Sequence, residues 1–145
     1  AELIVSTARD EYAAALSPDG RLLAYQAVEG GRPEIYVREL VASAGRWQVS
    51  NAGGEEPMWS PDGRTLYYRF ESQLMRVSVE RTATFAASLP EILFAGILNL
   101  RSDTGVSYDP HPDGKRLLMV RRAQAASNGS VRLITNWVNE LRGIK

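Results

Sequence analysis

"WSPDG", residues 59–63, recurs almost letter for letter as "LSPDG" at 16–20 and as "HPDG" at 111–114. In such a stretch Pro presets the backbone of the second position of a type I turn, Asp tolerates the third, and Gly takes the left-handed conformation that follows. The first position carries a group able to bond back onto the turn. The structural turns are therefore Ser17, Pro18, Asp19 and Gly20; Ser60, Pro61, Asp62 and Gly63; and His111, Pro112, Asp113 and Gly114. A turn of this kind joins two antiparallel strands, and the flanks agree. "YAAAL" and "RLLAYQAV" bracket the first copy, "EPMW" and "RTLYYRF" the second, "GVSYD" and "KRLLMV" the third. Their apolar runs are too continuous for a sheet with one wet face, which predicts sheets covered on both faces.

Spacing sets the architecture. Ser17 and Ser60 are 43 residues apart, Ser60 and His111 are 51, and the excess of 8 is expected in the loop around "ILNLRSDTG". A repeat of about 40–45 residues with four strands is the period of a β-propeller blade. A third strand follows each hairpin, as "EIYVREL" at 34–40, "LMRVSVE" at 74–80 and "VRLITNW" at 131–137. A fourth follows twice, as "RWQVS" at 46–50 and "EILFA" at 91–95. The third repeat stops after three strands, while residues 2–7 at the start of the chain form a spare one. The reading is thus all-β, with a closing strand at 2–7, blade one at 12–50, blade two at 56–96, blade three at 105–137 and a tail at 138–145 in which "NWVNELRGIK" is the one helical candidate. Three blades are fewer than the roughly four to eight of a closed ring. A spare strand at one end and a vacancy at the other predict a homodimer that closes a six-bladed ring by strand exchange, with Leu3, Ile4 and Val5 pairing beside Val131, Leu133 and Thr135.

The repeated "SPDG(R)xLAY…IYV" pattern resembles the TolB-type, WD40-like repeats called PD40 repeats, although the Gly-His and Trp-Asp dipeptides of true WD40 blades are absent. In more detail, "GRWQVSNAGGEEPMWSPDGRTLYYR", "HPDGKRLLMV" and "LITNWVNELR" are similar to the C-terminal half of sensor propellers fused to bacterial serine/threonine kinases. The resemblance implies a binding and scaffolding module, in a family that is usually periplasmic or extracytoplasmic. Kinase motifs are not found in the sequence: it has no Gly-rich phosphate loop, no His-Arg-Asp and no Asp-Phe-Gly.

Composition narrows the function classes. The chain has 145 residues, 44% of them hydrophobic and 23% charged, enough for one globular core or a share of a larger one. With 17 basic and 17 acidic residues it lacks the positive field that drives binding to phosphate backbones, so nucleic acid is excluded as a partner. Zero cysteines exclude disulfides and thiolate metal sites. The longest apolar run, "ILFAGILNL" at 92–100, is about half of the roughly 20 residues a membrane helix needs. No membrane insertion and no signal peptide are expected, and a first residue Ala1 rather than Met suggests a processed or excised piece.

Candidate chemistry is sparse. His111 is the only histidine, and at the first turn position it reads as a cap; metal ligation would need partners the sequence does not show. No Gly-x-Ser-x-Gly elbow is present, and a lone His makes a triad within one chain improbable. No catalytic residue and no cofactor are assigned. Acids precede each inner strand: Asp10 and Glu11, Glu55 and Glu56, and Asp103 with Asp109 around the third. Propeller topology would gather them at one channel mouth, able to hold a cation or basic ligand, against the plainer reading of solvated acids that keep strand ends soluble. Arg21, Arg64, Lys115 and Arg116 neighbour the turn aspartates and are expected to pair with them locally. Trp47, Trp59 and Trp137 fall at repeat positions and read as blade packing, and "NGS" at 128–130 as a loop turn. The leading function is a non-catalytic module that binds a protein, peptide or small ligand. The alternatives are a propeller enzyme or a gating domain of a hydrolase, prolyl-oligopeptidase-like or glycan-active, with its site formed across an assembly, and a half-propeller whose role is assembly itself.

Overall fold

A computed structural model of the chain describes residues 11–40, 45–81, 85–96, 106–120 and 131–135. Twelve strands are assigned within them: β1 (Glu11–Leu16), β2 (Leu22–Glu29), β3 (Arg32–Glu39), β4 (Arg46–Gln48), β5 (Glu55–Trp59), β6 (Thr65–Phe70), β7 (Gln73–Arg81), β8 (Phe85–Ala87), β9 (Glu91–Ala95), β10 (Tyr108–Pro110), β11 (Arg116–Val120) and β12 (Val131–Thr135). They form three antiparallel sheets in chain order, β1-β2-β3-β4, β5-β6-β7-β8 with β9 also on β7, and β10-β11-β12. No helix among the described residues is long and apolar enough to cross a membrane. The expected closing strand at 2–7, the loop around "ILNLRSDTG" and the tail at 138–145 lie outside the described residues.

Each expected hairpin forms around its Pro-Asp-Gly turn. The Gly20, Gly63 and Gly114 amides donate to the carbonyls of Ser17, Ser60 and His111 at 2.8, 2.9 and 2.9 Å, and these glycines hold φ of 72°, 66° and 66°. Those are the left-handed values anticipated for that position, where a Cβ is costly. The middle sheet departs from the anticipated four strands. β7 runs nine residues and is long enough for two partners on one edge, β9 along Gln73–Arg76 and the short β8 along Val79–Arg81. At three residues, β8 shows too little alternation to stand out in the sequence.

Side-chain direction alternates along β6, and both sets of side chains are covered. Leu66 and Tyr68 face the first sheet, where they join Ala24, Ile35 and Val37 in one apolar cluster. Tyr67 faces the third sheet and joins Tyr108, Leu117 and Met119 in another. The continuous apolar run in "RTLYYRF" is thus explained by cover on both faces. Between sheets one and two the Trp59 indole N–H donates to the Ala15 carbonyl at 3.1 Å, and the Trp47 and Phe85 rings stack at 4.8 Å near the outer strands.

Where the first sheet hands over to the second, Gly54 has no room for a side chain. A Cβ there would lie 2.6 Å from Ile35 Cγ1 and 2.9 Å from Tyr68 Cδ2, both fully buried. Gly54→Ala is expected to lower the unfolding free energy by about 1–3 kcal/mol, the usual cost of overpacking. Urea unfolding followed by tryptophan fluorescence measures it; an unchanged midpoint would show that the two sheets are not held this closely.

Candidate functional site

β1 and β5 each contain a bulge at the same repeat position. The register slips between Tyr12 and Ala15 in one and between Glu55 and Met58 in the other. Ala13 and Glu56 sit at the slips with φ of 48° and 56°, left-handed backbone that a side-chain-bearing residue adopts at a cost of about 1–3 kcal/mol. A bulge re-aims its side chain. At Ala13 there is little to aim; at Glu56 there is a carboxylate.

That carboxylate is buried between the second and third sheets. Arg69, opposite Glu55 in β6, donates from Nε to Glu56 Oε1 at 3.0 Å, from Nη2 to Glu55 Oε2, and from Nη1 to the Glu71 carbonyl at 3.2 Å. Glu56 Oε2 accepts the Ser107 backbone N–H at 2.9 Å and the Ser107 hydroxyl at 2.6 Å. The Tyr108 hydroxyl donates to the Glu56 carbonyl at 2.5 Å. Burial, reinforced by the Glu56 charge, holds the Tyr108 phenol well above its usual range, so it stays a donor. Both oxygens of Glu56 are engaged within the fold, while Glu55 keeps part of its surface in water.

A second buried carboxylate sits at the corresponding end of the first sheet. Glu34 accepts from the Ser50 hydroxyl, from the Gly53 N–H at 3.1 Å and from Arg32 Nε at 2.7 Å. Ser50 Oγ in turn accepts the Ile35 N–H at 2.8 Å, so Glu34 fixes the connector that leads into β5. The Tyr68 hydroxyl is pushed up to about 12, by burial first and by the Glu34 charge second.

Of the six acids singled out in the sequence, the structure brings Glu55 and Glu56 together on Arg69. Asp109 is exposed on β10, apart from them in the third sheet. Glu11 opens β1, where only its backbone is described, and Asp10 and Asp103 lie outside the described residues. Leu3, Ile4 and Val5 also lie outside them. Val131, Leu133 and Thr135 belong to β12, which pairs with β11 on one side and with no described strand on the other. Among the described residues no cluster of three or more His, Asp or Glu is arranged to hold a metal ion. Sequence reasoning passed over Arg69, Ser107 and Glu34. Arg69 did leave a signal: it is the single charge inside the apolar run "TLYYRF", and a charge in a strand covered on both faces requires a partner.

At the opposite end of each sheet the turn side chains bond among themselves. Ser17 and Ser60 accept the N–H of Leu22 and Thr65, each at 2.9 Å, and donate to Asp19 and Asp62 at 2.7 and 2.6 Å. The Ser60 hydroxyl and the Arg64 amide are the main causes that lower the Asp62 carboxyl. In the third turn His111 Nδ1 accepts the Asp113 N–H at 3.1 Å, and Arg116 reaches both the His111 ring and Asp113 Oδ2, the latter at 2.7 Å. The expected local pairing of basic residues with turn aspartates holds for Arg116, and for Arg21 at the longer 3.8 Å; Asp62 instead takes the backbone N–H of Arg64.

No protein-family model matches the chain. The Tol-Pal system protein TolB of Alcanivorax borkumensis is 49% identical over 53 residues, 34% of this chain and 12% of that protein. Among solved structures, TolB of Acinetobacter baumannii superposes with a TM-score of 0.53 at 22% identity, over 85% of this chain and 32% of that one. A TolB-type protein of Agrobacterium tumefaciens gives 0.61 at 18% identity, over 86% and 48%. A protein assigned as a 6-phosphogluconolactonase, from Bacteroides uniformis, gives 0.51 at 15% identity, over 86% and 40%. The chain has a TolB-type β-propeller fold, and it spans less than half the length of each of these proteins.

Two predictions follow from the side-chain geometry. Glu56→Ala is expected to lower the unfolding free energy by about 1.5–3 kcal/mol, the range for hydrogen bonds to charged groups, because Arg69 and Ser107 lose their shared acceptor. Glu56→Gly is expected to lose about 1 kcal/mol less, since glycine accepts the left-handed backbone; equal losses in chemical denaturation would show that the bulge is unstrained. The second concerns acid. The Lys115 N–H is the main cause that lowers the Asp113 carboxyl from 3.8 to about 2, with the Arg116 side chain adding to it. A carboxyl depressed by folding stabilises above its unfolded value, and that gain is lost as pH falls through the folded one. The stability difference between the wild type and Asp113→Asn is therefore expected to be constant above pH 5 and to shrink between about pH 4 and pH 2. A difference independent of pH would remove Asp113 from the turn's electrostatics.

Proposed function

We propose that the chain is a non-catalytic binding and scaffold module, made of three propeller blades, that presents a site at the end of its sheets away from the Pro-Asp-Gly turns. The observation that carries this reading is the asymmetry of the two ends. At the turn end the polar side chains of Ser17, Asp19, Ser60 and Asp62 bond to their own turn. At the other end lie the handover segment and the carboxylates of Glu34, Glu55 and Glu56, of which Glu55 remains accessible, with half-exposed Arg32 beside Glu34. The ligand chemistry that suits this end is a cation or a basic peptide.

The same reading pairs residues 2–7 of one copy with the third sheet of another. Two chains, each lending residues 2–7 to the outer side of its partner's β12, would close a ring of six blades and remove an open edge. The kinase-fused sensor propellers that the sequence resembles would carry such a module on a longer chain. A glycan-active or peptidase role finds no support in the side-chain arrangements described above.

Calorimetric titration of the chain with calcium and with a hexalysine peptide tests the acidic end. Binding of either, weakened at least fivefold by Glu55→Gln, is the expected result; binding unaltered by that change, or no binding of either, removes the assignment. Deleting residues 2–7 is expected to convert a two-chain species to one-chain mass or aggregate in light scattering, and a dimer that survives the deletion would overturn strand exchange.

A further inference from the structure

The outermost strand of the second sheet is one strand broken in two. β8 and β9 both run antiparallel to β7, along the edge of it that β6 does not use. Ala87 lies opposite Val79 and Glu91 opposite Arg76, so three residues, Ser88, Leu89 and Pro90, fill the stretch that faces only Ser78 and Val77. The extra residue is thrust outward, and Leu89 is 82% exposed. The polar groups at the break are withdrawn from the edge. Ser88 donates its N–H to the Ser78 carbonyl at 2.9 Å, and its Oγ, in place of a backbone carbonyl, accepts the Ser78 N–H at 3.0 Å. The same hydroxyl donates to the Leu89 carbonyl at 3.0 Å, and Pro90 has no N–H to offer. A second slip follows within β9, where Leu74 faces Phe94 and Met75 faces Ile92; Leu93 is the extra residue and is turned into the core at 1% exposure.

Unbroken, residues 85–95 would form an edge of about 35 Å, at roughly 3.3 Å per residue. They hold one charged side chain in eleven, Glu91. A long apolar edge of that kind is a template for pairing with another chain, and bulges, prolines and charges are the devices that spoil it. All three meet at this break. Glu91 follows Pro90 and precedes the apolar run of Ile92, Leu93, Phe94 and Ala95; its side chain is 61% exposed and paired with Arg76 at 2.8 Å. Propeller sheets meet face to face, so this edge points out of the ring however many blades complete it. The first sheet limits its outer edge by length instead, since β4 is three residues long.

We propose that the break at Ser88, Leu89 and Pro90 is an edge guard, which keeps the outer edge of the second sheet from pairing with the edge of another chain. It does so by removing two consecutive pairing groups, the Leu89 carbonyl and the absent N–H of Pro90, from the middle of the edge and by holding Leu89 where an incoming strand would have to lie. The guard is independent of the pairing of residues 2–7 with β12, which concerns the third sheet. The rival role for so exposed a leucine is a contact with another protein, and it predicts the opposite response: taking Leu89 away would then weaken association, whereas taking away a guard strengthens it.

The experiment compares the wild type with a healed variant, in which Leu89 is deleted and Pro90→Thr restores the N–H, so that two residues face Ser78 and Val77 and the ladder is continuous. Leu89→Ser, which keeps the break and removes the apolar side chain, is the control. Light scattering against protein concentration reads the onset of species larger than the one the dilute wild type forms, and thioflavin T fluorescence reports whether they are built by strand pairing. The healed variant is expected to associate at a concentration at least tenfold lower than the wild type, with a thioflavin T signal, and Leu89→Ser to match the wild type. Near-UV circular dichroism, sensitive to Trp59 between the first two sheets, checks that each chain is folded. If the healed variant loses that signal, Pro90→Thr in the uncut chain takes its place, with a lower onset again expected. A folded variant whose onset equals that of the wild type would overturn the guard. Later onset in both the healed variant and Leu89→Ser would overturn it too, and would assign Leu89 to a contact.

Discussion

A sheet with two apolar faces needs cover on both, and the middle sheet of this chain has that constraint written into β6. Leu66 and Tyr68 project one way and Tyr67 the other, all of them buried, so neither face can be left to water. At about 25 cal/mol per Å² of apolar surface, covering only one face would forgo several kcal/mol in a chain of this size. The flanking sheets are thus not appendages of the middle one; they are the solvent in which its side chains dissolve. Stacking sheets face to face with short connectors is the propeller's solution, and the connectors inherit tight tolerances from it. Gly54 has no Cβ because the Ile35 and Tyr68 side chains already fill that space.

Polar groups in such a stack have to be satisfied across the gap between sheets, and the bulge in β5 shows how. Its left-handed residue would be a plain cost if it did nothing, as at Ala13, where the repeat keeps the same slip without a functional side chain. The bulge therefore belongs to the backbone of the repeat. Glu56 makes use of it, turning a carboxylate toward Arg69 and the third sheet, where Ser107 and Tyr108 complete its hydrogen bonds. Buried ion pairs of this type contribute little net stability compared with apolar packing, but they penalise any arrangement that leaves one member alone. That penalty disfavours any order or register of the second and third sheets that parts Glu56 from Arg69 and Ser107.

The turns were legible in the sequence because each depends on a local chemical device. Pro presets one dihedral, Gly permits another, and Ser17, Ser60 or His111 bonds back within six residues, so four or five letters carry the whole instruction. Strand order followed from counting between those turns. The role of Glu55 and Glu56 was not legible in the same way. Their contact with Arg69 depends on hairpin register and on a bulge, and periodicity read along one strand reports neither. Acids before an inner strand look the same whether they line an opening or lock two sheets together. β8 escaped for a related reason, since its three residues exist as a strand only because β7 runs past the end of β9.

A repeat also hides the difference between a middle and an end. Leu23, Leu66 and Leu117 are one letter at one position, yet the first is only partly buried and the other two are fully buried. What separates them is not local: it is whether a described sheet packs on that side. The first sheet has amphipathic residues here, Tyr25 and Tyr36 buried under the Arg46 guanidinium, where the middle sheet has Tyr68 and Met75 in the apolar cluster it shares with the first. Both tyrosines are buried with their hydroxyls paired, Tyr25 accepting from Arg46 and Tyr36 donating to Glu29, so a polar cap closes over this side of the first sheet in place of the apolar contact that the second sheet makes.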